Sequence, residues 1–374
     1  MIELWTPPGH ERPMSELAAA ALREAGVEDV TLDEEFEGSP SVIARIPGRR
    51  PGPTMQWHGH LDAINTPMGD VRREGDVIHG RGASDMKGAI AAMVEAVKVL
   101  KAAGLPDRGS ILITWHGLHE TGGNVPLHRL IARGIHGDAV LTGELGSGGD
   151  LVTSGRGLTF WDMIVRRDGD SLHETNAEKG TVNPILAGMR LVDRLSRLSD
   201  DLAAGRAKPA GSLFIGKFAT GDYYNRVPIS AHLMGTRRHH ADSNLTEVAA
   251  QLTQIAQEVA AETGAIIEPD LHGFTEAYQI SPDERIAKAV RRAHFDLTGN
   301  GMRVIQSRAV GNAADFNHEA KIPGTYYGLA YASAHSDYEQ LHVPELAQVA
   351  GAYALATAYF LDEADIDPPP LVGG

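Results

Sequence analysis

The 374-residue chain contains no cysteine. That excludes disulfides, thiolate metal sites and a cysteine nucleophile, and it fits a cytoplasmic protein. Any metal site must therefore be built from His, Asp and Glu. No apolar run approaches the roughly 18 residues that a membrane helix needs, so no membrane partner is expected. The opening Met1-Ile2-Glu3-Leu4-Trp5 has neither a basic n-region nor an apolar h-region, which argues against a signal peptide. Basic charge is scarce: 34 Lys and Arg stand against 49 Asp and Glu, a net charge of −15, which argues against nucleic acid as a partner. The glycines at 80–88 lack the G-x-G-x-x-G spacing of a dinucleotide site.

What remains is a globular chain long enough for two domains, with 42% hydrophobic residues and 17 histidines, several of them in short polar clusters. Apolar runs end repeatedly in such clusters. Thr54-Met55-Gln56-Trp57 runs into His58-Gly59-His60-Leu61-Asp62, and Ser110–Trp115 runs into His116-Gly117-Leu118-His119-Glu120. Asp138–Thr142 leads to Gly143-Glu144. Asp85 precedes a helical stripe of Ile90, Met93, Val97 and Leu100. Taken alone, that position also suits a simple N-cap. His335 lies in the polar loop 332–339. Strands alternating with helices, and polar groups gathered at strand ends, predict an α/β catalytic domain: a mixed sheet flanked by helices.

The pattern changes after Gly157. A strand at 158–165, a helix around 185–192, strands at 213–218 and 227–234, a helix from Leu245 and a strand from Ala265 give the β-α-β-β-α-β order of a ferredoxin-like α+β module. Asn244 with Glu247 forms a capping box for the second helix. We read 158–274 as an inserted domain and 1–157 with 275–374 as the catalytic domain. A capped helix is predicted from Ser281-Pro282, a loop through Pro67, a strand pair around Val71 and Val77, and a disordered tail over 367–374.

His60, Asp62, Asp85, His119, Glu120, Glu144 and His335 supply the imidazoles and carboxylates that two divalent ions need, including a carboxylate able to bridge them. Their order resembles the M20 family of metallopeptidases and deacylases over nearly the whole chain. Gly59-His60-Leu61-Asp62 is similar to that family's G-H-x-D, Gly80–Gly88 to its G-R-G-x-x-D-x-K-G, His119-Glu120-Thr121-Gly122-Gly123 to its E-E-x-G-G, and His335 with Glu339 to its closing H-x-x-x-E.

The resemblance implies that His60 and Glu144 hold one ion, Glu120 and His335 the other, and that Asp85 bridges them. Zinc is the first choice, with manganese or cobalt as alternatives. Asp62 would orient His60, and His173 would help polarise the substrate carbonyl across a homodimer formed through the lid domain at 158–274. Asn225 and Arg237 fall near the family's substrate-recognition positions, where an arginine suits a carboxylate-bearing small molecule. The implied activity is hydrolysis of a C–N, amide-type bond by a metal-activated water. One position departs: His119 stands where the family has its general-base glutamate. His119 as general acid/base, altered chemistry such as hydrolytic deamination of an activated aromatic amine (as in the 5-nitroanthranilate aminohydrolase branch), and a non-catalytic binding relative are the three readings that this leaves. His58 and His116 each precede a motif residue and could reach the site as extra ligands or supporting groups.

Overall fold

The computed structural model describes residues 1–66, 69–121, 123–145, 149–307 and 309–372. Pro67 of the expected loop, Gly122 of the His119 motif and the last two glycines of the tail lie outside the described residues. The chain divides into two compact units, Met1–Ser154 with Gln279–Gly374, and Gly155–Tyr278.

The first unit is built on a six-stranded mixed sheet. Its spatial order is Asp29–Asp33, Ser41–Pro47, Arg108–His116, Arg50–His60, Ala139–Thr142 and Gly324–Tyr326. The strand Arg50–His60 runs parallel to both neighbours, and Gly324–Tyr326 is parallel to Ala139–Thr142; the two strands beyond Arg108–His116 are antiparallel. Four adjacent parallel strands therefore end on the same side. Their register sets His60 opposite His116, and His58 opposite Thr114 and Thr142.

Alternation along Arg50–His60 sorts its side chains. Met55 and Trp57 enter the main core with Ile113, Trp115 and Leu141, against the helices Gly88–Ala102 and Val343–Leu361. Trp57 is pinned there: its indole N–H donates to Thr357 Oγ1 at 2.9 Å and its ring meets Tyr353 edge-on at 5.2 Å. Burying such a ring anchors the strand by about 2–3 kcal/mol. Gln56, His58 and His60 consequently face the other way. Small clusters around Leu127, Val140 and Phe316, and around Ile43, Leu112 and Leu130, cover that second face.

The second unit has a four-stranded antiparallel sheet, ordered Gly211–Thr220, Ser230–His239, Gly157–Arg166 and Ile266–Thr275. The helices Pro184–Ala203 and Leu245–Thr263 bury Leu191, Leu195, Val248 and Leu252 with Trp161, Met163, Val165 and Leu233. This is the ferredoxin-like arrangement. Asn244 Oδ1 accepts from Glu247 N at 3.1 Å, which closes one orphan donor of the second helix.

Three local expectations shift. The helix expected from Ser281 begins at Arg285; Ser281–Glu284 instead forms a turn in which Asp283 N donates to Ser281 Oγ. The strand expected across 227–234 divides into Arg226–Val227 and Ser230–His239 around Pro228, which has no N–H to give a ladder. The tail is tied down as far as Val372: Arg291 donates to Pro369 O at 2.5 Å and Val372 N to Met302 O at 3.0 Å.

Candidate metal centre

The strand Arg50–His60 delivers His60 fully buried at the edge of the sheet. Its Nε2 lies 3.0 Å from Asp85 Oδ1 and 3.0 Å from Glu144 Oε1. The other oxygen of Asp85 lies 3.1 Å from His335 Nε2, which is 3.1 Å from Glu120 Oε1. Asp85 thus has one oxygen in each half of the cluster.

The backbone is shaped to make this possible. Asp85 sits in an irregular turn, Ala83–Lys87, ahead of the helix Gly88–Ala102 rather than as its N-cap. Glu339, 1% exposed, holds that turn. It accepts from Gly82 N, Ser84 N, Ser84 Oγ, Asp85 N and Arg81 Nη1, all within 3.3 Å. On the other side, Asp62 Oδ2 accepts from Glu120 N at 2.8 Å, and Asp62 Oδ1 is 3.4 Å from His60 Nδ1. Glu11 Oε1 accepts from Leu118 N, and its other oxygen bonds Ser39 Oγ, fixing the approach to His119. Among the described residues, four of the five non-glycine positive φ angles (Leu118, Asn124, Leu145 and His335) occur in or beside the cluster. Such angles cost energy and persist where surrounding structure enforces them.

Electrostatics fit cations. Burial opposes charge on His60, yet hydrogen bonds to Asp62, Asp85 and Glu144 hold its pKa well above the ordinary value. His335 is pushed up to about 10 by Asp85 and Glu120. Burial would raise Asp62, but the hydrogen bond and charge of His60 hold it at about 2; Asp85 is lowered in the same way by His335 and His60. Glu144 Oε1 is buried without a well-formed hydrogen bond. Asp62, Asp85, Glu120 and Glu144 carry four negative charges into one pocket, which two divalent ions would balance. An ion with bonds of about 2.0–2.1 Å sets its ligand atoms about 3.0–3.4 Å apart, the spacing found between these groups.

His119 belongs to the same cluster but stands differently. Its ring stacks on that of His60, with centroids 4.2 Å apart and planes 15° from parallel, and its Nε2 is 3.4 Å from Glu144 Oε1. His58 and His116 lie beneath, fully buried and stacked at 5.1 Å. Burial lowers both, His116 to about 3, with the neighbouring histidines adding to the effect. They stay neutral below the cluster: His58 Nδ1 is bonded to Thr114 Oγ1, and His116 Nδ1–H donates to Gly117 O at 2.7 Å.

The second unit carries the remaining candidates. His173 Nδ1 accepts from Thr175 N at 3.3 Å, and the Asn225 amide lies 2.7 Å from His173 Nε2, so these two expected residues meet. Both are exposed. Arg237 is fully buried, with Nε and Nη2 donating to Gln251 Oε1 and further bonds to the Pro209 and Arg238 carbonyls. Its guanidinium is committed inside the unit, on the helix-covered face of the strand; the next residue, Arg238, alternates to the opposite face.

Sequence reasoning missed Asn124, Asp315 and Glu11. Asn124 and Asp315 were hidden because neither sits in a motif and their contact spans 191 residues.

Fold and site together define a class: a metal-dependent hydrolase whose candidate ligands gather where parallel strands end. The chain belongs to peptidase family M20/M25/M40, which it matches over residues 57–358. It acts as a hydrolase of C–N bonds. It is 28% identical over 356 residues to succinyl-diaminopimelate desuccinylase of Dinoroseobacter shibae, covering 90% of this chain and 91% of that one. Its fold is similar to that of aminopeptidase PepT from Bacillus cereus (TM-score 0.80, 19% identity, 96% of each chain). It is also similar to a dinuclear metal-binding M20 peptidase, the YXEP protein of Bacillus subtilis (TM-score 0.72, 16% identity, 96% of this chain and 95% of that one).

Proposed function

We propose that this protein hydrolyses the amide-type bond of a small, carboxylate-bearing substrate, with His119 as the group that carries the proton. One observation carries the reading of His119. Imidazole binds a metal in its ring plane, and two rings 4.2 Å apart and nearly parallel cannot both aim their lone pairs at one ion. His119 is therefore a poor co-ligand for the ion of His60, and its Nε2 remains available beside the cluster.

His60 and Glu144 would hold one ion, Glu120 and His335 the other, and Asp85 both. The ions, zinc first and manganese or cobalt as alternatives, would supply Lewis acidity to the scissile carbonyl and acidify an attacking water. His119 takes the proton released at attack and returns it to the leaving nitrogen. Asp62 holds His60 and the Glu120 backbone in register. Asn225 and His173 work as a pair. Asn225 Nδ2 lies 2.7 Å from His173 Nε2, and the pair would stabilise a developing oxyanion.

We infer that the second unit is the lid and dimerisation domain. Its edge strand Gly211–Thr220 exposes Phe214, and the neighbouring helix exposes Leu186 and Met189, an apolar surface suited to a second copy. Hydrolytic deamination of an activated aromatic amine is the second reading, favoured by the histidine at position 119 itself. Purified, zinc-loaded protein offered N-succinyl and N-acetyl amino acids, short peptides and nitro-substituted anilines decides between them. Turnover of the acylated amines with His119→Gln reduced at least tenfold is expected; turnover of the aromatic amines alone would overturn the amide reading.

A further inference from the structure

A base must offer a lone pair, and a neutral imidazole has only one. Which nitrogen carries it is decided by what the other nitrogen bonds. His119 Nδ1 lies 3.0 Å from Asn124 Oδ1. Asn124 Nδ2 donates to Asp315 Oδ2 at 3.1 Å, and Asn312 Nδ2 donates to the same oxygen at 3.2 Å. All three supporting residues are at most 5% exposed.

The polarity of this chain of bonds has a single origin. A carboxylate only accepts. Asp315 therefore obliges Asn124 to turn its NH2 toward it, which leaves Oδ1 facing the histidine. An amide oxygen also only accepts, so His119 must place its hydrogen on Nδ1. The lone pair is then on Nε2, the atom 3.4 Å from Glu144. Asn124 reaches both partners because its backbone is left-handed, φ 44°, at the head of the helix Val125–Ala132, a conformation that asparagine tolerates better than most residues. Asp315 comes from a separate helical turn, Ala313–Asp315.

We propose that Asn124 and Asp315 are positioning residues that lock His119 in the Nδ1–H tautomer and so make its Nε2 the proton acceptor of the reaction. The carboxylate is a remote source of orientation, acting through an amide, on a base that would otherwise be free to sample the unproductive tautomer. This rests on the reading of His119 as the proton carrier.

The test reverses the polarity without changing shape. Asp315→Asn allows residue 315 to donate, Asn124 to turn over and His119 to move its hydrogen to Nε2. Asn124→Asp combined with Asp315→Asn exchanges the two side chains and restores an acceptor facing His119. The tautomer is read from 15N-histidine NMR of the zinc-loaded enzyme, with the His119 signals identified by their loss in His119→Gln.

Wild type is expected to show Nδ1 protonated. Asp315→Asn is expected to shift His119 toward the Nε2–H form and to lower kcat by about 10²-fold or more, as misplaced tautomers do, while KM stays within about threefold. The exchanged pair is expected to recover both. A wild-type His119 protonated on Nε2, or a folded exchanged pair no better than the single variant in tautomer, overturns the proposal. If Asp315→Asn does not fold, the wild-type tautomer still decides. A tautomer that shifts with no change in kcat would leave the lock standing and remove His119 as the base.

Discussion

Replacing Glu339 by glutamine probes how the bridging position is built. The wild-type carboxylate receives five donors: Oε2 takes Gly82 N and Arg81 Nη1, and Oε1 takes Ser84 N, Ser84 Oγ and Asp85 N. Glutamine keeps one oxygen and points an NH2 at the other set, donor against donor. Charge-assisted bonds of this kind contribute about 1.5–3 kcal/mol each, and removing one partner of a buried ion pair costs about 3–5 kcal/mol. Arg81 retains its bond to Thr66 O, which softens the loss, so about 3 kcal/mol of destabilisation is expected. Urea unfolding reads it as a lower midpoint at unchanged slope. Because Asp85 N loses its anchor, zinc affinity should also weaken about 10–100-fold, as it does when groups behind a ligand are removed. A variant within about 0.5 kcal/mol of wild type, with unchanged zinc affinity, would refute the claim that Glu339 shapes the turn.

Burial raises Asp315 to about 6, so the folded chain holds that proton to higher pH than the unfolded one. Its contribution to stability is present below about 4 and is lost as pH rises through 6, an effect on the order of 2–3 kcal/mol. Asp315→Asn should therefore unfold with a flatter pH dependence between 4 and 6, and identical slopes would contradict the assignment. His173→Ala should lower kcat by about 10²-fold at constant zinc content, since a lost oxyanion donor has that effect. Steady-state rates equal to wild type would remove it from the reaction.

Much of this molecule is legible in its sequence. The convergence of His60, Asp85, Glu120, Glu144 and His335 is legible because each lies where a strand or loop meets a polar turn, and strand alternation alone puts His58 and His60 on one face. The ferredoxin-like unit follows from element order. What escaped has physical reasons. Asp85 is legible as a ligand, but the turn that holds it is not: taken alone the position also suits an N-cap, and Glu339, which braces the turn, lies far along the chain. Arg237 reads as a recognition residue because one position of strand register separates a buried guanidinium from one on the opposite face. Asn124 and Asp315 act through a contact that neither periodicity nor a local motif encodes. The helix expected from Ser281 starts later because the Ser281 hydroxyl closes a turn instead of capping a helix.

The central claim is that His60, Asp85, Glu120, Glu144 and His335 form one centre for two divalent ions. Calorimetric titration of chelator-stripped protein with zinc tests it most directly. Two equivalents per chain are predicted for wild type, and at most one for Glu120→Ala or Glu144→Ala in protein that remains folded. A wild-type stoichiometry below one, or two full-affinity equivalents in either variant, would contradict the account.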